Sequence, residues 1–478
     1  MPGVHTFYDG SRLLEPISAL TGVEYDMLNL VFCQFLSVPL ALVYRLYFPP
    51  ETTSKNVRLT FPLIFGLFFG YFCYGNAIKH PISLIIVSYS IMKIAPTKYV
   101  HKLVFCFAMS YLIFIHWYRW YILTSYAIDI TGPMMVLTQK VTTMAFSLHD
   151  GRVKKVEELT EIQKREALAE VPSVLSYLSY LFCFQTILTG PLCFYADYRD
   201  YIDGSNLPTS EKDKKNLGIW NACIPKFAFA LVCMAIVGFT NSKANPEQLA
   251  EPKMLALPAY QWWLMLDLIS TIKRCQYYYA WVFADAVSNL SGFGFNGYDE
   301  NHKPKWNLIS NVNAWNVETS FSFKETLDNW NCTTMHWLRR VAYERVPQNY
   351  RTLSTYLLSA VWHGFFLGYY MTFLTGALVT LAGRATRRCF RHHFQTSYAM
   401  ARFYDAITLI CTRIFLDYTT FPFMTLHLNP GLFIYKRLYF SLHILAFFAA
   451  AVLPKILPSK PRSTSSLTNN DRKTQKTE

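Results

Sequence analysis

Charge is thin in this chain, and its cysteines follow no pattern. Only 16% of the 478 residues are Asp, Glu, Lys or Arg, against about a quarter in ordinary soluble domains. The 11 cysteines form no CxxC pair, zinc spacing or even-numbered framework, so neither a metal centre nor structural disulfides are expected. Most lie inside apolar runs, where cysteine behaves as a small hydrophobe. Acidic residues are fewer still, 31 against 45 Lys and Arg, for a formal net charge of +14. No nucleic-acid-binding motif accompanies that excess. It sits in loops and in the tail, where anionic headgroups and the cytosolic bias of basic loops account for it, so no nucleic-acid partner is expected. No internal repeat is visible, which counts against the repeat-built transporter folds. The first 27 residues carry Asp9, Glu15, Glu24 and Asp26 and lack the basic start, apolar core and cleavage site of a signal peptide. They read as an extramembrane segment ahead of an uncleaved first span.

What the chain has in quantity is apolar surface: 52% of residues are hydrophobic and 17% aromatic. These gather into runs of roughly 18 or more, the length that matches a hydrocarbon core of ~30 Å. The clearest are Leu28–Phe48, Leu59–Tyr74, Leu103–Leu123, Val174–Phe194, Ile219–Thr240, Tyr356–Leu381 and Leu432–Leu457. More polar runs cover Ile82–Ile94, Met134–Leu148, Tyr260–Leu290 and Phe403–Leu426. The expectation is an all-α, multi-spanning membrane protein: one helical domain over 28–457, with about eleven transmembrane helices around an internal chamber. The stretch from Asp150 to Glu170 reads as an amphipathic surface helix opened by Thr160 and ended before Pro172. Residues 458–478 read as a disordered basic cytosolic tail, and the four arginines within Arg384–Arg391 suggest a cytosolic face.

Two stretches concentrate polar chemistry. In Tyr356–Leu381, His363 stands between Trp362 and Gly364 in an apolar run. A membrane histidine is often a packing residue, yet ionisable groups at that depth usually face a cavity, and imidazole exchanges protons near neutral pH. Upstream, Asn329, Asn331, Thr333 and Thr334 cluster between and around Trp330 and Trp337, too aromatic for a solvated loop. Asn331-Cys332-Thr333 and Asn289-Leu290-Ser291 are also formal glycosylation sequons. Cys332 and His336 offer a rival nucleophile and a rival base. His149-Asp150 reads as structural, and Gly292–Gly297, formally G-x-G-x-x-G, as a turn at a span end, because no βαβ unit surrounds it. Lys140, Gln185 and Asp285 would suit a transporter or channel pathway, the competing class.

The stretches Trp330-Asn331-x-x-Thr334-x-x-Trp337-Leu338 and Ser359–Tyr370 (SAVWHGFFLGYY) resemble the signature segments of the membrane-bound O-acyltransferase family. The similarity continues through Gly132–Thr143, His149–Gly151, Pro172–Pro191 and Tyr277–Glu300, and is greatest to the lysophospholipid acyltransferase branch, types 1 and 2. Two departures stand out: Leu367 where that motif has proline, and Trp306-Asn307 where it has Trp-Asp. The resemblance implies transfer of a fatty acyl group from acyl-CoA to a lysophospholipid (lysophosphatidylethanolamine, -serine or -choline) in phospholipid remodelling. Relatives in the same family acylate other lipids or proteins. It implies His363 as general base and Asn331 as its polar partner, with Trp330, Thr334, Trp337, Trp362 and Tyr369 around the substrates. It further implies acyl-CoA as co-substrate with no other cofactor, and a multi-pass protein of the endoplasmic reticulum membrane. The residues leave open the headgroup, the acyl-chain preference, the oligomeric state, and whether Asn331 stabilises the oxyanion or orients the acceptor.

Overall fold

The computed structural model describes residues 9–122, 129–208, 210, 217–240 and 244–457. The tail after 457 and part of the polar loop before residue 217 lie outside that set. Among the described residues the chain is helical throughout, apart from one isolated β-bridge between Tyr298 and Pro304. The long apolar runs become helices because a backbone in hydrocarbon must satisfy its own N–H and C=O groups.

The principal helices are α1 (Tyr25–Tyr47), α2 (Lys55–Tyr74), α3 (Lys79–Ile94), α4 (Val100–Ile122) and α5 (Thr131–Val153). After a short α6 (Val174–Leu181) come α7 (Ile219–Thr240) and α8 (Ala259–Leu290). The third group is α9 (Cys332–Leu338), α10 (Arg351–His363), α11 (Leu367–Phe390), α12 (Tyr398–Thr425), α13 (Leu428–Arg437) and α14 (Ser441–Phe447). Among the described residues, four helical stretches are long and apolar enough to cross a bilayer: Tyr25–Tyr47, Lys55–Ile94, Val100–Ile122 and Ile219–Thr240. The bent pair Leu428–Arg437 and Ser441–Ile456 makes a fifth candidate. α5 is buried at every position from Leu137 to Asp150, deep in the protein core.

Three of the expected spans differ from the structure. Over Val174–Phe194 only the first eight residues are helical; the rest turns through irregular backbone while staying almost wholly buried. Irregular backbone is tolerated at membrane depth when protein rather than lipid surrounds it. Here Lys140 of α5, itself fully buried, donates to the Tyr180 carbonyl (2.8 Å) and to Thr186 Oγ1 (2.9 Å). α2 presses against the same segment at Gly66, where an added Cβ would come within 1.4 Å of the Phe182 carbonyl oxygen. Arg165 and Asp197, which flank the segment, form an ion pair. The run Tyr356–Leu381 is likewise two helices, α10 and α11, separated at Gly364 (φ 117°, ψ −158°), a conformation that is essentially glycine-only. His363 is therefore the last residue of α10, not an early residue of one long helix. The run Leu432–Leu457 bends by 76° between α13 and α14, around Tyr439 and Phe440 in left-handed backbone. The expected surface helix between Asp150 and Glu170 contracts to Glu161–Glu166, closed at its start by a Thr160–Gln163 capping box.

Leu367 occupies the first position of α11, behind Phe366 in extended backbone (φ −64°, ψ 125°). Proline is at home at that position, and ψ of the preceding residue lies where a following proline requires it. Leu367→Pro is thus expected to keep the thermal unfolding midpoint or raise stability by ~0.4–1 kcal/mol. A fall in that midpoint would show that the helix start cannot take the ring. The second departure, Asn307, is exposed and accepts a hydrogen bond from Asn296 Nδ2 (2.9 Å), well removed from the bundle interior.

Candidate active site

α5 organises the polar stretches from behind. Its Met135 carbonyl accepts from Trp362 Nε1 (3.1 Å), its Gln139 Nε2 donates to Thr334 Oγ1 (2.9 Å), and its Thr142 Oγ1 accepts from Trp337 Nε1 (2.9 Å). Positions 135, 139 and 142 follow the i, i+4, i+7 spacing of one helix face, so a single face of α5 anchors both α9 and α10. α4 contributes the remaining support: buried His116 Nε2 lies 2.9 Å from the Trp362 carbonyl, one of the last four carbonyls of α10 that no intrahelical N–H can reach. A Cβ at Gly364 would stand only 2.8 Å from His116 Nδ1, so glycine is what allows α10 to stop against this ring.

In front of that scaffold lies a chamber of about 1550 Å³, counting its open mouth. Asn331 and His363 both line it, although 32 residues separate them along the chain. The imidazole is walled by rings: Phe373 stacks on it at 5.2 Å, Phe423 meets it edge-on at 5.1 Å, and Tyr369 stands at 5.3 Å. Asn331 adopts left-handed backbone (φ 53°, ψ 52°) just ahead of α9, a conformation asparagine tolerates better than most residues. Buried Asn311 holds this turn: its carbonyl accepts from Cys332 N (2.7 Å), and its side-chain Oδ1 accepts from Thr333 N (3.0 Å) and Thr333 Oγ1 (2.7 Å). Asn311 Nδ2 donates to Asn331 Oδ1 (3.0 Å).

Of the other residues singled out in the sequence, Trp330 and Thr334 line the chamber. Trp337, Trp362 and Tyr369 do not: they stand one layer behind, the two tryptophans bonded to α5 and Tyr369 packed on the His363 ring. The remaining lining brings in residues the sequence reading passed over. Arg274 and Lys273 of α8 sit at one end, and Thr372, Thr380 and Arg384 follow one face of α11. Arg274 is held by Glu318 (Nε 2.7 Å, Nη2 2.9 Å), which Arg413 also contacts, so the Arg274 end is closed by an ion network. An arginine inside the apolar run Tyr260–Leu290 was the signal for it.

The rival chemistries are positioned elsewhere. His336 is exposed and faces Phe194 (6.4 Å between ring centroids), outside the chamber lining. Burial pushes the Cys332 thiol up to about 11, and its Sγ lies 3.3 Å from the Asp328 carbonyl, so the sulfur stays protonated at neutral pH. Cys332→Ala is accordingly expected to retain more than about half of wild-type turnover, since an inert thiol contributes packing rather than chemistry. Turnover lost without a change in thermal stability would revive an acyl-enzyme route. Asp150 is clasped by Arg345 (2.7 Å) and Arg340 (3.4 Å), and His149 lies 3.3 Å from it, a structural knot. Gly292–Gly297 is a turn after α8. Lys140 caps the irregular segment, Gln185 bonds Tyr201 (3.2 Å) and Asp285 pairs with Lys226 (2.7 Å), so each polar residue of the transporter reading has a structural partner.

Comparison with known proteins adds a second line. Residues 114–425 match the sequence model of the membrane-bound O-acyltransferase family, MBOAT. The chain is 41% identical to lysophospholipid acyltransferase 6 of Drosophila melanogaster over 479 residues, covering 97% of this chain and 66% of that protein. It is 40% identical over 462 residues to membrane-bound glycerophospholipid O-acyltransferase 1 of Homo sapiens, covering 93% of this chain and 92% of the human one. The lysophospholipid acyltransferase of Schizosaccharomyces pombe is 30% identical over 468 residues, covering 93% of this chain and 90% of its own length.

Proposed function

The chain belongs to the membrane-bound O-acyltransferase family, and from that premise we propose that it transfers a fatty acyl group from acyl-CoA to the free hydroxyl of a lysophospholipid. The acceptor class follows the names of its relatives, lysophospholipid and glycerophospholipid acyltransferases. The observation that carries the mechanism is the shared chamber of His363 and Asn331.

An alcohol attacks a thioester slowly at neutral pH unless a base removes its proton as the new bond forms. His363 takes the proton from the glycerol hydroxyl while the oxygen bonds to the thioester carbon. The carbonyl oxygen becomes an oxyanion, and Asn331 is the polar partner at the reacting atoms, serving either that oxyanion or the acceptor hydroxyl. Collapse breaks the C–S bond, and the imidazolium returns the proton to the departing CoA sulfur. Both substrates carry long apolar chains, so a bundle interior brings them together and keeps water from the thioester.

Acyl-CoA supplies a length criterion. The chamber-facing residues of α11 run from Thr372, near the His363 ring, to Arg384, a helical distance of about 18 Å. An extended pantetheine arm is of that order, which supports the Arg384 end as the mouth taking the CoA phosphates. The adjoining Arg387, Arg388 and Arg391 support a cytosolic position for it. Arg384→Glu is expected to raise KM for acyl-CoA about tenfold and leave kcat nearly unchanged, as loss of one charge-assisted contact predicts. An unchanged KM would move the donor mouth elsewhere. The membrane we propose is the endoplasmic reticulum, in multi-pass form. Residues 174–194 we read as folding back rather than crossing, a reading supported by the short helix Val174–Leu181 and the Arg165–Asp197 ion pair.

The direct test uses microsomes containing the protein, oleoyl-CoA and a panel of lysolipids differing in headgroup. Incorporation into lysophosphatidylethanolamine, -serine or -choline is expected. Incorporation into none of the panel would overturn the assignment.

A further inference from the structure

Asn311 lies outside the chamber lining, yet its hydrogen bonds decide which end of a chamber residue is presented. The oxygen and nitrogen of an asparagine amide are distinguished by their partners. Asn311 Oδ1 receives the backbone N–H of Thr333 (3.0 Å), which can only donate, so that atom must be the oxygen. Asn311 Nδ2 must then be the atom that faces Asn331 (3.0 Å), and the atom it meets there must accept. That atom is Asn331 Oδ1. The Asn331 amino group is left as the free end, with no hydrogen-bond partner among the described residues. Asn311 is 3% exposed and is bonded through its carbonyl as well as its side chain, so it has no slack to turn.

We infer that Asn311 is a positioning residue that orients the Asn331 amide, nitrogen toward the chamber, so that Asn331 acts as a donor to the developing oxyanion rather than as an acceptor for the attacking hydroxyl. This rests on the acyl-transfer reading above and narrows it. Neither residue is chemically able to impose the orientation alone: Thr333 fixes Asn311, and Asn311 fixes Asn331.

The test is a double-mutant cycle on the full-length membrane protein, with acyl-CoA and the best lysolipid of the wild type. Asn311→Asp keeps the acceptor for Thr333 but presents carboxylate oxygen to Asn331, which turns the Asn331 amide around. Asn331→Ala is expected to lower kcat by ~10²–10³, the usual loss of one oxyanion donor. Asn311→Asp should lose a comparable factor, in kcat and not in either KM. The double variant should be no slower than Asn331→Ala. Near wild-type kcat in Asn311→Asp, or losses that multiply in the double variant, would overturn the inference. Should Asn311→Asp fail to fold, Thr333→Val removes one of the two bonds fixing Asn311. It should then slow wild type several-fold and leave Asn331→Ala unaffected; multiplication of those losses would equally overturn it. A wild type inactive on every lysolipid would instead sink the acyl-transfer reading, so the two failures are separable.

Discussion

Replacing His363 by alanine is expected to reduce acyl transfer at least ~10³-fold while the protein still folds. General-base assistance is worth ~10²–10⁴ in rate, and the chamber lining includes no second histidine to take over. The fold should tolerate the change because the lost ring borders open space on one side. Its other neighbours, Tyr369, Phe373 and Phe423, also contact one another: Tyr369–Phe423 at 4.8 Å and Phe373–Phe423 at 6.4 Å. The measurement is single-turnover transfer of a radiolabelled acyl chain, alongside size-exclusion elution and a thermal scan of the same sample. Turnover within tenfold of wild type in a folded His363→Ala sample would remove imidazole from the mechanism. A sample that is inactive and also aggregated decides nothing about base catalysis, so the conservative His363→Gln should be run beside it; it keeps bulk and polarity and should be as inactive as alanine.

The second large effect lies one residue on. Gly364→Ala introduces a Cβ within 2.8 Å of His116 Nδ1 and forces a side chain onto backbone at φ 117°, ψ −158°. Holding a non-glycine residue there costs on the order of 1–3 kcal/mol. The clash adds to that, and it must be relieved by moving His116 or the end of α10. Either movement displaces His363, the adjacent residue. A misplacement of about 1 Å can cost ~10² in rate. The expected result is at most a few per cent of wild-type kcat, with a measurable drop in unfolding temperature. Wild-type activity in Gly364→Ala would mean that His116 yields freely and does not set the end of α10.

The sequence exposed the parts of this fold that depend on composition. α7 was legible residue for residue, Ile219–Thr240, because a long apolar run in hydrocarbon has no alternative to a helix. The breaks at Leu181, Gly364 and Arg437 were not, because hydropathy reports what a segment contains and not who satisfies its backbone. Lys140, on a helix some forty residues earlier, bonds the Tyr180 carbonyl at the end of that short helix and the Thr186 hydroxyl just beyond it. In the site, His363 and Asn331 stood out because polar groups in aromatic, apolar surroundings demand a reason. Trp337, Trp362 and Tyr369 were also singled out, yet the two tryptophans bond to α5 behind the site and Tyr369 packs on the His363 ring without lining the chamber; adjacency along a chain cannot say which side of a helix meets a cavity. Asn311 and His116 escaped notice because their partners lie 20 and 246 positions away, a relation that only folding creates.

The ion pair between Arg165 and Asp197 has a topological consequence. Two residues in contact cannot lie on opposite leaflets, so the contact favours a stretch that enters and leaves by one side. Counted as a fold-back rather than a crossing, that stretch changes parity: inside and outside, assigned by counting apolar runs, then invert downstream of residue 197. Cysteine-labelling reagents that reach Glu161–Glu166 should reach the far end of Tyr195–Asp203 from the same compartment, and tags placed later must be interpreted with one fewer crossing.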